Sequence, residues 1–309
     1  MTAALAVRYA RYGDPAVLSL DSVELPEPGP GEVRVAVHAA GVNPYDSKAR
    51  RGLYASDGAP AEPARVGLEC AGTVDALGPD VTGWSPGDAV FGLAAGSAAT
   101  YVVVPADELV AKPDWLTFVQ AAALPVACET AYRVIRLLDV RSGDVVLVHA
   151  AAGGVGMVAS QLALARGARV IGTAGTANHE FLASLGVEPV LYGDGLAARV
   201  RALAPGGVDA VVDASGRGVL PVSIELAGGP ERVVTIADGS AAQYRVQASW
   251  SADLPLPQVF ETVLPLVELG TVRVPIVATF PLEQVAAAQE LSEAGHLRGK
   301  IVLTVGVPD

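Results

Sequence analysis

Val145-Val146-Leu147-Val148-His149-Ala150-Ala151-Ala152-Gly153-Gly154-Val155-Gly156 is the stretch on which the fold of this chain turns. Its apolar, β-branched opening reads as a buried strand, the small residues that follow as a tight turn, and Met157 onward as an apolar helix. Lacking Cβ atoms, Gly153 and Gly154 would let a pyrophosphate approach the backbone, and Gly156 would let the helix pack on its strand. The helix N-terminus would add N–H donors and the positive end of a dipole. Ala151 stands where the first glycine of the usual G-x-G-x-x-G pattern would be. Ala152, Gly153, Gly154, Val155 and Gly156 are therefore expected to cradle a dinucleotide.

Outward from this loop, strands and helices alternate. Strands are expected over 144–149, 169–173, 189–192, 210–213 and 232–236, with helices over 155–166, 178–185 and 196–203. Short apolar runs alternating with helices are what a parallel sheet covered on both faces requires, so this part reads as a doubly wound α/β unit. An Ala-rich helical stretch, interrupted at Pro125, precedes it over 117–138. The first third differs: strands at 5–9, 33–40, 72–77, 89–91 and 101–105 are separated by Gly/Pro/Asp turns, with almost no helical periodicity. A helix at 282–294 and strands at 276–280 and 300–305 are too few for a third unit, so the C-terminus is expected to return to the first.

The end of the second strand, Ile171-Gly172-Thr173-Ala174-Gly175-Thr176, sets the cofactor reading. No acid precedes Glu180, so nothing repels a 2′-phosphate where NAD sites usually carry Asp or Glu. No Arg or Lys occurs from Val170 through Ala198 either. Thr173, Thr176, Asn178 and His179 are the available hydrogen-bonding groups, and NADPH is favoured over NADH.

Composition narrows the partners. The 309 residues fit two domains, and 51% hydrophobic against 17% charged residues argues against disorder. With 33 acidic and 21 basic residues the net charge is −12, and no basic run could track a phosphate backbone, so nucleic acid is not expected. The apolar run 3–7 is too short for a signal-peptide core and leads into Arg8, Tyr9 and Arg11. No run approaches the roughly 20 residues needed to span a membrane, and a cytoplasmic location is expected. Cys70 and Cys128 are the only cysteines and read as small buried apolar groups.

Several separated stretches resemble the medium-chain dehydrogenase/reductase superfamily in its zinc-free quinone oxidoreductase, zeta-crystallin-like branch. They are Ala39-Ala40-Gly41-Val42-Asn43-Pro44-Tyr45-Asp46, Val66-Gly67-Leu68-Glu69-Cys70-Ala71-Gly72-Thr73-Val74, Leu124-Pro125 with Thr130-Ala131-Tyr132, and Gly295-His296-Leu297-Arg298-Gly299-Lys300-Ile301-Val302. The resemblance implies a largely β, GroES-like catalytic domain from 1–118 and 265–309, with a Rossmann domain from 119–264 between its halves. Zinc-dependent members place a Cys and a His-Glu pair around the metal; here Val42-Asn43 and Leu68-Glu69 stand there, so no metal is expected. Without a Lewis acid, the acceptor of the hydride should be an electron-poor small molecule such as a quinone or enone. An enoyl reductase acting on a thioester, and a non-catalytic NADPH-binding sensor, remain as alternatives.

The same resemblance assigns residues. Asn43 and Tyr45 would line the nicotinamide end of the cleft and hydrogen-bond a carbonyl, while Asp46 anchors their loop. Thr130 would approach the nicotinamide and Tyr192 would flank the adenosine ribose; Ala174 and Gly175, after the second strand, are counted with the cofactor residues, although many NADPH-preferring relatives carry Ser or Lys there. Ala214-Ser215 and Ile236-Ala237 would pass under the cofactor. His38, His149 and His296 are expected to be structural, and 52–64, near the cleft mouth, names no substrate. The segment 244–250 resembles the edge through which family members pair their sheets, so a homodimer is expected.

Overall fold

Alternating buried and half-buried positions build the N-terminal strands. The computed structural model describes residues 4–55, 58–60, 62–251 and 254–306. Ala3 of the 3–7 run, and Ser56, Asp57 and Ala61 of the 52–64 segment, lie outside the described residues. The first strands are β1 (Ala4–Tyr9), β2 (Ser19–Val23) and β3 (Glu32–Val42). After helix α1 (Pro44–Arg50) come β4 (Ala64–Arg65), β5 (Glu69–Leu77), β6 (Ala89–Leu93), β7 (Tyr101–Pro105) and β8 (Leu109–Ala111). In β3, Val33, Val35 and Val37 face the core at a period of two. β1 pairs antiparallel with β2 and β4 in a three-stranded sheet.

Two helices, α2 (Phe118–Ala121) and α3 (Pro125–Leu137), lead into the alternating part. There β9 (Val145–His149), α4 (Gly154–Ala165), β10 (Arg169–Ala174), α5 (His179–Ser184), β11 (Glu188–Leu191), α6 (Leu196–Leu203), β12 (Ala210–Asp213), α7 (Leu220–Ala227), β13 (Val233–Thr235) and β14 (Gln247–Ala248) follow one another. Their strands form a six-stranded, all-parallel sheet in the order β11-β10-β9-β12-β13-β14. The order reverses direction between β9 and β12, which opens a crevice beyond the strand C-termini.

The chain then runs through α8 (Leu256–Glu268), β15 (Ile276–Pro281), α9 (Val285–Ala294) and β16 (Lys300–Thr304). β16 pairs parallel with β15 and antiparallel with β3, so strands from both ends of the chain share one seven-stranded sheet, β15-β16-β3-β5-β6-β8 with β7 also on β3. The molecule is thus an α/β protein with a GroES-like, largely β unit and a Rossmann-like unit. Small side chains let α3 and α4 lie close, with Ala127, Ala131, Ala159 and Ala163 all buried between them and the sheets. Phe91 of β6 meets Phe260 of α8 edge-on, with centroids 4.9 Å apart, so α8 packs against the β unit as well. The boundary expected at 264–265 falls inside this helix.

Three helices differ from the sequence expectation. α1 lies where only strands and turns were expected; α7 and α8 were not expected. Pro44, Pro221 and Pro257 each sit in a first helical turn, where the missing N–H costs nothing. Pro265 interrupts α8 in its last turns. Among the described residues no helix is long and apolar enough to cross a membrane.

Candidate active site

The loop after β9 is held from beneath. Ala150 adopts φ 55°, and its N–H donates to Thr173 Oγ1 at 3.2 Å, while Ala151 N–H donates to Thr173 O at 3.1 Å. Gly156 is required sterically: a Cβ there would stand 2.4 Å from Ala150 O. The absent first glycine is compensated on the next strand. Ala151 Cβ occupies the space beside Gly172, where a second Cβ would approach to 2.7 Å. Gly153 caps α4 in extended conformation, and Gly153, Gly154 and Val155 remain partly open to solvent while Ala151, Ala152 and Gly156 are buried. The first N–H groups of α4 have no intrahelical acceptor and face the crevice, as an anion site requires.

Beneath the loop, buried His149 meets Thr173 Oγ1 through Nδ1 at 3.4 Å and Ser223 Oγ through Nε2 at 3.0 Å. Burial lowers its pKa to about 4, against the pull of Asp213, so the ring is neutral at pH 7. Asp213, at the end of β12, accepts from Ser215 N–H (2.9 Å), Ser215 Oγ (2.7 Å), Gly216 N–H (3.1 Å) and Thr235 Oγ1 (2.8 Å). Thr235 Oγ1 in turn accepts from Ala237 N–H at 3.1 Å, and Ile236 N–H donates to Asp213 O at 3.0 Å. These bonds fix the turns carrying Ala214, Ser215, Ile236 and Ala237 side by side along the crevice.

At the other side, Thr173 and Ala174 are buried, whereas Tyr192 is half exposed with its hydroxyl 3.7 Å from the position a Cβ on Gly175 would take. Arg199 donates to the carbonyls of Leu191, Tyr192, Gly193 and Asp194 and so braces that turn. His179 Nε2 lies 3.3 Å from Ala174 O. Asn178 is buried, and its Oδ1 accepts from Arg298 Nε at 2.6 Å; Arg298 Nη2 also donates to Ala177 O. The cation missing from the local sequence arrives here from a segment 120 residues away.

The third cluster ties the seven-stranded sheet to the start of α3. Lys300 Nζ donates to Glu69 Oε1 at 2.7 Å, to Val42 O at 3.3 Å and to Asn43 Oδ1. Asn43 Nδ2 donates to Glu69 Oε1 at 2.8 Å, and Val126 N–H at the start of α3 donates to Glu69 Oε2 at 2.8 Å. Asn43 is therefore buried, with both ends of its amide engaged. Its backbone N–H donates to Asp46 Oδ2 at 2.8 Å, which anchors the loop at the start of α1. Burial raises the Asp46 carboxyl to about 6. The Lys300 stem also crosses α4, where a Cβ on Gly154 would stand 3.1 Å from Lys300 Cδ. Tyr45, half exposed, stacks on Tyr54 at 5.1 Å between centroids and lines a cleft of about 290 Å³. Thr130, half buried on α3, donates to Glu129 Oε2 at 3.3 Å.

Lys300 and Arg298 lie in the 295–302 stretch and Glu69 in the 66–74 stretch, and their roles are not evident from the sequence. The signal for Lys300 was a lone cation opening an apolar strand, Ile301 to Leu303, where it must find a partner when buried. Nothing local signals Arg298, because its partner Asn178 is remote in sequence.

The N-terminal part matches the alcohol dehydrogenase GroES-like domain over residues 29–114, and residues 185–303 match the zinc-binding dehydrogenase family. The residues present do not fit the zinc that the second description implies. Leu68 has no donor atom, Glu69 is held by Lys300, Asn43 and Val126, and no group of three His, Cys, Asp or Glu is gathered among the described residues. A quinone oxidoreductase of Pseudomonas aeruginosa is 35% identical over 96% of this chain and 98% of its own length. The Streptomyces venezuelae pikromycin polyketide synthase component PikAII is 35% identical over 91% of this chain, which spans 8% of that synthase. Among solved structures, the Coxiella burnetii quinone oxidoreductase superposes with TM-score 0.87 at 34% identity, covering 99% of this chain and 100% of the other. The CurK enoyl reductase gives TM-score 0.87 at 28% identity over 98% and 99%. A mycobacterial protein solved with NADPH gives 0.87 at 29% over 97% and 99%. With a relative matched along nearly its whole length and both halves of the fold accounted for, this chain belongs to the medium-chain dehydrogenase/reductase superfamily, in its quinone oxidoreductase branch.

Proposed function

We propose that this protein is a zinc-independent, NADPH-dependent reductase that delivers hydride to a quinone or another electron-poor conjugated carbonyl. The observation that carries the reading is the position of Lys300, whose stem lies over the phosphate-loop helix while its ammonium closes the buried Glu69–Asn43 pair at the start of α1, the helix that brings Tyr45 and Asp46 to the cleft. Lys300 thus couples the phosphate-loop helix to the loop that carries the cleft residues, and the residues around it do not make the ligand set of a metal.

Bound cofactor supplies the hydride. Gly153, Gly154 and Val155 hold its pyrophosphate through backbone N–H groups, with Ala152 and Gly156 shaping the turn and His149 and Thr173 fixing it from below. Thr130 on α3, and the Ala214–Ser215 and Ile236–Ala237 turns, flank the nicotinamide half. Ala174, Gly175, His179 and Tyr192 surround the adenosine ribose, and Asn178 with Arg298 faces its 2′-phosphate. Arg298 presents its guanidinium with no carboxylate against it among the described residues, which favours NADPH over NADH. The Tyr45 hydroxyl is the group left free to hydrogen-bond the acceptor oxygen; Asn43 positions that loop through Glu69 and Lys300. Orientation and exclusion of water do the rest, since a quinone or enone needs no Lewis acid.

The likeness to polyketide synthases and to CurK favours a second reading, an enoyl reductase acting on a thioester. A cytoplasmic homodimer is part of the proposal: β14 ends the parallel sheet with one edge open, and Trp250 beside it is 58% exposed.

Consumption of NADPH and NADH by purified protein against quinones, enones, thioesters and simple aldehydes, with and without a chelator, tests the reading. Chelator-insensitive reduction of quinones with NADPH is expected. Reduction of thioesters alone would move the assignment to the second reading, and tight NADPH binding without reduction of any acceptor would leave a sensor.

A further inference from the structure

We propose that the acceptor carries an anionic oxygen group, a carboxylate, sulfonate or phosphate, which Arg65 binds at the mouth of the cleft. The inference rests on the cleft beside Tyr45 being the acceptor site. Arg65 is exposed along the cleft wall, its stem lying over Gly96, where a Cβ would stand 2.9 Å from Arg65 Cδ. Among the described residues its guanidinium has no hydrogen-bond or ion-pair partner.

The strand pairing makes this unusual. Arg65 of β4 stands directly opposite Arg8 of β1, so two guanidinium groups leave the same face of the sheet. Like charges in register destabilise a strand pair. Arg8 reaches only the carbonyl of Pro63, at 3.5 Å, so no carboxylate relieves the repulsion among the described residues. A chain with 33 carboxylates and a net charge of −12 thus keeps a positive spot at the entrance of its cleft.

The acid lining the cleft does not neutralise it. Asp46 turns inward, accepting from the backbone N–H groups of Asn43 and Gly67. Tyr45, which lines the same cleft as Arg65, stacks on Tyr54, and the two rings, 16° from parallel and 46% and 56% exposed, offer a flat apolar face. A planar conjugated system against the tyrosines with its anion on the guanidinium satisfies both groups, and Arg binds such anions through two parallel hydrogen bonds.

Calorimetric titration of the full chain with hydroquinone and hydroquinone sulfonate at low salt tests the assignment without requiring turnover. The sulfonate is expected to bind at least tenfold more tightly, with the advantage shrinking in 0.5 M salt and falling to within twofold in Arg65→Gln. Arg65→Lys should retain part of it. A parallel pair, an enoyl-phosphopantetheine and the matching N-acetylcysteamine thioester, shows whether a phosphate is the anion. An Arg65-dependent advantage in either pair supports the proposal; equal affinities in both pairs, or an advantage that survives Arg65→Gln, overturns it. Because these ratios are equilibrium quantities, they stay readable even if no acceptor is reduced and the reductase reading fails.

Discussion

Lys300 Nζ lies 2.7 Å from Glu69 Oε1, across 231 residues of sequence, and both side chains are closed off from solvent. The pair fastens β16 to β5 and, through Val126 N–H, to the start of α3. Removing one member of a buried pair leaves the other charge uncompensated, a loss of about 3–5 kcal/mol. Urea unfolding should show Glu69→Gln and Lys300→Met each destabilised on that order, with the double variant losing less than the sum. Strictly additive losses would mean that the two groups do not act as a pair.

Gly153 and Gly156 should respond differently to alanine. At Gly156 the new Cβ meets a backbone carbonyl at 2.4 Å, and the loop must shift, so stability should fall by about 1–3 kcal/mol and NADPH affinity with it. At Gly153 the same carbonyl, Ala150 O, would be 3.3 Å away, a tight contact relieved by a shift of a few tenths of an ångström, so Gly153→Ala should lose less stability than Gly156→Ala while weakening NADPH binding. Thermal unfolding with fluorescence titration separates the two. Equal loss of stability in both variants would contradict the steric account.

Asp46 should make stability fall as pH rises. Its carboxyl is raised from 3.8 to about 6 by burial, so between those values the folded state holds a proton that the unfolded state has lost. Its contribution is fully present below about pH 4 and is lost as pH passes 6, a span worth about 3 kcal/mol. Parent stability minus that of Asp46→Asn, from urea unfolding at pH 4 and pH 7, should therefore drop across the interval. A flat or rising difference would place the carboxyl at or below its ordinary value.

Arg298→Gln should reduce discrimination between the two nicotinamide cofactors. Loss of one Arg–phosphate contact should lower the ratio of NADPH to NADH affinity by about tenfold, the equivalent of about 1.4 kcal/mol, measured by fluorescence quenching. An unchanged ratio would remove the guanidinium from the 2′-phosphate site.

Neither thiol should react in the native protein. Burial pushes Cys70 up to about 12 and raises Cys128 as well, with Glu69 adding to both. A thiol reagent at pH 8 should modify no cysteine before denaturation and two after it.

The parallel sheet was legible because each strand is a short apolar run between helices, and the loop at 150–156 because only small residues permit its geometry. Helices α1, α7 and α8 were not legible: each is opened by a proline in its first turn, a place where proline is permitted but where the sequence gives no sign that a helix follows. The cofactor residues followed from the loop and the resemblance. What could not be read was which cations face which sites: Arg298 reaches Asn178, and Lys300 reaches Asn43, only after the C-terminal segment has folded back. Asn43 illustrates the limit. Its amide suits a substrate carbonyl by chemistry, but Lys300 and Glu69 take both of its ends.

β16, although it follows every other strand of its sheet in sequence, is flanked by β15 and β3 rather than lying at an edge. The parallel sheet is complete once residue 248 has emerged, whereas the 39–42 half of β3 waits for 301–304 before that pairing can form. During synthesis the waiting backbone is an unpaired N–H and C=O row, the template on which nascent chains aggregate. The strand that brings Lys300 to Glu69 is therefore also the one that covers this row of β3.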